Sequence, residues 1–120
     1  MKKLFFTILM LTMLCFFAGC SVAEEEILIT SQNSPDENYT VLLYQVGSPE
    51  WSFGSVGAKL VLENKNGKIV DEVKFALAND GAGVFENNIK SITWMENQVE
   101  IIMGESDTTR QFTYVLKYNE

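Results

Sequence analysis

Lys59-Leu60-Val61-Leu62-Glu63-Asn64-Lys65-Asn66-Gly67-Lys68-Ile69-Val70-Asp71-Glu72-Val73-Lys74-Phe75-Ala76-Leu77 decides the fold. Asn66-Gly67 marks a tight hairpin turn, because both residues tolerate positive φ. Beyond it Ile69, Val73, Phe75 and Leu77 line one face, while Val70, Glu72, Lys74 and Ala76 line the other. That period of two belongs to a half-buried strand. Asp71 alone breaks the inward row. Lys59 to Glu63, before the turn, is the partner strand.

The same alternation extends outward in both directions. Tyr39 to Val46 is rich in β-branched and aromatic residues and apolar on both faces, which places it centrally. Ile29 falls in a short Ile27-Leu28-Ile29-Thr30 run, read as a first strand or an extended continuation of the segment before it. Ser31 to Asn38 is polar turn material. Within it Ser34-Pro35-Asp36-Glu37 fits a type I turn, with proline fixing φ at the second position. Ile89 to Met95 and Gln98 to Met103 pair around Glu96-Asn97, and Phe112, Tyr114, Leu116 and Tyr118 share a face of the last strand. No stretch holds a 3.6-residue period long enough for a helix. The expected fold is all-β, a small antiparallel sandwich or meander of six to seven strands, forming one domain over residues 34–120.

The N-terminal segment has a different composition. Lys2 and Lys3 precede an apolar run from Leu4 to Ala18, interrupted only by Thr7 and Thr12. Its length suits a secretory signal and falls short of the roughly 20 residues a spanning helix needs. It closes on Phe17-Ala18-Gly19-Cys20, which resembles the lipobox of bacterial prolipoproteins, with Phe17 where that family usually has leucine. The resemblance implies diacylglycerol on the Cys20 sulfur and cleavage between Gly19 and Cys20. Residues 1–19 are then a signal peptide and residues 20–33 a lipidated N-terminus and tether. The implied location is the extracytoplasmic face of a cell membrane, held through fatty chains on Cys20.

Cleavage leaves no disulfide within one mature chain, since Cys15 departs with the leader and Cys20 carries lipid. It also removes Lys2 and Lys3, so that seven basic residues face sixteen acidic ones, a net charge of −9. Such a surface repels phosphate, which argues against nucleic acid as a partner. Histidine is absent, which removes the usual general base and the commonest zinc ligand. No nucleophile elbow or phosphate-binding loop occurs, so the chain is not expected to be an enzyme, and no cofactor or metal is assigned. Calcium is the one ion worth weighing, through Asp80 and Glu86 with the Asn79 and Asn87 amides, but their spacing matches no calcium motif. Trp94 alternates with Ile92 on a strand and reads as core. So does the Phe112/Tyr114/Leu116/Tyr118 row, with phenol ends reaching water.

Gly47-Ser48-Pro49-Glu50-Trp51-Ser52-Phe53-Gly54 is the candidate contact loop. Trp51 and Phe53 suit stacking on a glycan ring or anchoring a protein partner, because aromatic side chains dominate contact hot spots. Ser34 to Tyr39 resembles the strand openings of bacterial propeller blades, although the chain is too short for a propeller. Residues 34–118 more broadly resemble small uncharacterised lipoprotein domains of Gram-positive bacteria, through Ser34 to Asp36, Gly47 to Trp51 and Ile89 to Trp94. That resemblance implies no activity. The expected function is a membrane-anchored, non-catalytic binding module for an envelope glycan or protein. The alternative is an accessory lipoprotein, structural or regulatory, of a membrane complex.

Overall fold

The computed structural model describes residues 25–49, 54–106 and 109–118. These form seven strands: β1 (Glu26–Asn33), β2 (Tyr39–Val46), β3 (Val56–Asn64), β4 (Ile69–Leu77), β5 (Ile89–Trp94), β6 (Gln98–Gly104) and β7 (Gln111–Lys117). The fold is all-β, with no α-helix among the described residues. Strands β1 to β4 make one antiparallel sheet and β5 to β7 a second, each in chain order. Every connection within a sheet therefore joins neighbouring antiparallel strands.

Alternation along β3 shows why these residues fold this way. Val56, Ala58, Leu60 and Leu62 point inward and are no more than 1% exposed. They meet Val41 and Leu43 of β2 and Leu77 of β4, and Val99, Ile101, Met103 and Leu116 from the second sheet join the same core. Burying each such side chain contributes about 1.5–3 kcal/mol. Two contacts tie β4 to β7. Phe75 stacks on Tyr114 with centroids 4.4 Å apart, and the Asp71 Oδ2 accepts the Lys117 backbone N–H at 3.0 Å. Asp71 breaks the apolar row because it receives a backbone donor of the other sheet.

Several details go beyond the sequence reading. The sheet starts at Glu26, just before Ile27 to Thr30, which the sequence offered as a first strand or an extended continuation. The cause is pairing: β1 is an edge strand hydrogen-bonded to β2, from Glu26 opposite Val46 to Asn33 opposite Thr40. At the β3–β4 hairpin only Gly67 takes positive φ, +80°. The turn runs from Asn64, whose carbonyl accepts the Gly67 N–H at 2.9 Å and whose Oδ1 accepts the Asn66 and Lys68 N–H groups. A bulge then inserts Val70 between Ile69 and Asp71. One extra residue inverts the facing of those before it, so Ile69 is 49% exposed while Val70 packs on the core. Lastly, the opposite face of the first sheet is not all solvent. Leu42 and Val61 are buried there, and so is Lys59, whose Nζ lies 2.6 Å from Glu26 Oε2 and 5.1 Å from the Tyr44 ring centroid.

Candidate functional site

The two sheets share their ends. At one, the entry of β1 is pinned by the Gly47 N–H donating to the Glu25 carbonyl at 2.7 Å. The loop after β4 closes the same end. There Asn79 and Asn88, both nearly inaccessible, bond each other twice. Asn79 also donates to Gly83 O and accepts from Ser106 N; Asn88 donates to Gly104 O and accepts from Phe85 N. Each amide thereby makes four hydrogen bonds, its full capacity. Glu105 completes the closure by accepting the Ala78 N–H at 2.8 Å and pairing with Arg110 at 3.0 Å.

Asn79 was one of the candidate calcium ligands. Its oxygen is occupied by two donors, its partner is Asn88 rather than Asn87, and Asp80 and Glu86 are exposed. Among the described residues no three acidic, histidine or cysteine side chains converge as a metal set. The hollow beside this loop, about 590 Å³ and lined by Phe85, Glu86, Asn87 and Ile89, is wide and shallow.

The opposite end carries the more structured concavity, a groove of about 390 Å³. Three segments build it: the turn from Ser34 to Tyr39, the β5–β6 turn at Trp94 to Glu96, and Tyr118 just after β7. The first is fixed by its sequence. Pro35 sets the φ of the second turn position, the Glu37 N–H donates to Ser34 O at 2.9 Å, and Glu37 takes φ 61°. The buried Ser34 hydroxyl donates to Asp36 Oδ1 at 2.5 Å and accepts the Tyr39 N–H at 3.1 Å, while the Asn38 N–H donates to the same Oδ1 at 3.0 Å. The Ser34 hydroxyl, followed by the Asn38 N–H, holds the Asp36 carboxyl below the usual carboxylate range.

Tyr39 stacks on Tyr118, with centroids 4.4 Å apart and planes 14° from parallel, and Trp94 lies 6.5 Å from Tyr118 at 25°. The Tyr118 hydroxyl donates to Met95 O at 2.8 Å. Burial, with the Asp36 carboxylate adding to it, pushes the Tyr118 phenol up. Among the described residues the only charged groups lining the groove are Asp36 and Glu96, with no basic residue beside them. Trp94, expected in the core, is half-buried. It packs on the core, lines the groove, and holds its indole N–H buried with no acceptor.

The sequence-derived sites Gly19, Cys20, Trp51 and Phe53 lie outside the described residues. Tyr39 and Tyr118 had not been brought together by sequence reasoning. The available signal was their place at strand ends: in an antiparallel arrangement the start of β2 and the exit of β7 fall at one end. Comparison with protein-family models, with curated proteins and with solved structures returned no match to this chain.

Proposed function

We propose that the chain is a lipid-anchored extracytoplasmic binding module, a β-sandwich attached to the membrane through Cys20, whose aromatic and acidic groove engages an envelope glycan or protein without catalysis. The observation that carries this is the groove itself. Three aromatic side chains from separate segments converge beside an ionised carboxylate, at the end of the sheets away from the β1 entry. Convergent aromatics with a few fixed polar groups are the ordinary make-up of a recognition site. Trp51 and Phe53 remain a second proposed contact, since their loop joins β2 to β3 at the anchored end.

Two measurements test the reading. Mass spectrometry of the processed polypeptide is expected to show acylated Cys20 at its N-terminus, and a free thiol there or an intact leader contradicts the anchor. Capture of envelope material by the lipidated chain is expected to be lost on Glu96→Lys, in the groove, and kept on Glu86→Lys, at the other end. Both positions are exposed, so neither change disturbs the core. Equal capture by both variants contradicts the site.

A further inference from the structure

We propose that the groove receives the side chain of a lysine on a partner polypeptide, an assignment that rests on the binding-module reading and selects the protein arm of it. Charge comes first. Among the described lining residues Asp36 and Glu96 are the only charged groups, with no cation to neutralise them. The turn holds the Asp36 carboxyl below the usual range, and its charge adds to the rise of the Tyr118 phenol. A cationic occupant is the complement, and an approach from water toward a chain this acidic is steered in its favour.

Shape then separates cations and sugars. Tyr39 and Tyr118 already cover one another, and Trp94 is near-parallel beside them. A pyranose needs a broad open ring face. A chain of methylenes needs only a strip of aromatic surface, and a lysine stem packs along it while its ammonium meets the carboxylates at the groove. The carboxylate favours lysine over arginine. Two turn hydrogen bonds fall on Asp36 Oδ1 and the Asn38 side chain also acts on the carboxylate, so it does not offer a guanidinium two unengaged oxygens. A guanidinium is best matched by two oxygens of one carboxylate, whereas an ammonium acts as a point charge and needs one.

The test is an NMR titration of the ¹⁵N-labelled processed chain in detergent with acetyl-Gly-Gly-Lys-Gly-Gly-amide. The parallel probes are the same peptide with Nε-acetyl-lysine, the arginine peptide, and an N-acetylglucosamine tetramer. The lysine peptide is expected to shift the Asp36, Asn38, Tyr39, Glu96 and Tyr118 signals. Acetylation, which removes the charge, is expected to weaken binding about tenfold, and Glu96→Gln to weaken it severalfold with the spectrum otherwise preserved. The arginine peptide is expected to bind more weakly than lysine. Equal shifts with the acetylated peptide, arginine binding as tightly as lysine, or shifts confined to other surfaces overturn the proposal. Groove shifts from the glucosamine tetramer without lysine binding overturn it too, and leave the binding-module reading standing.

Discussion

Asp36 is where a single side chain governs the site. Its Oδ1 gathers the Ser34 hydroxyl and the Asn38 N–H, and the Ser34 oxygen in turn accepts the Tyr39 N–H that positions the first ring. Because the folded-state pKa lies below the unfolded one, the contribution of these bonds is complete at neutral pH and is lost as pH falls below the ordinary carboxylate range through the depressed folded-state value. Acidification from pH 7 to 3 is therefore expected to shift the Asn38 and Tyr39 amide signals before global unfolding. Asp36→Asn should abolish that titration, and an unchanged titration in the variant would contradict the assignment. The turn was readable in Ser34-Pro35-Asp36-Glu37, since proline and short oxygen-bearing side chains have local preferences. The stacking of Tyr39 on Tyr118 was not. It depends on how two sheets close, and no local pattern encodes a contact between residues so far apart in the chain.

Among the elements, the loop from Ala78 to Asn88 shows how one sheet hands over to the next. Its polar composition suggested a solvated loop, yet Asn79 and Asn88 are as inaccessible as the core and each saturates its amide. Asn79→Ala would leave the Ser106 N–H, the Gly83 carbonyl and part of Asn88 without partners. The expected cost is about 3 kcal/mol, read as a lower urea midpoint with an unchanged slope. Asn87→Ala, at an exposed position, is expected to change stability by less than about 0.5 kcal/mol. Equal effects would contradict the network. The strands themselves were legible because β3, β4, β6 and β7 alternate cleanly. The limits lay at irregularities. The bulge at Val70 turned Ile69 outward, and β1 was partly concealed because an edge strand with exposed Ser31, Gln32 and Asn33 has the composition of a loop.

For the whole molecule, the proposed lipid anchor would set orientation. If Cys20 carries lipid, the six residues from Cys20 to Glu25 reach at most about 20 Å. The sheet then begins at once, and the eight residues of β1 run roughly 27 Å from the anchored end to the groove end. On the proposed anchoring the Asn79–Asn88 end, with Phe85 47% exposed on its surface, would face the lipid and the groove would be presented away from it. On the same proposal the excess of negative charge would keep the body of the domain from settling onto anionic headgroups. Site-specific photo-cross-linking of the lipidated chain in its native envelope tests the account most directly, with the cross-linker placed at Glu96 and, separately, at Glu86. The account predicts polypeptide adducts at Glu96 and lipid adducts at Glu86. Lipid adducts at Glu96, or the same polypeptide captured equally from both positions, would contradict it.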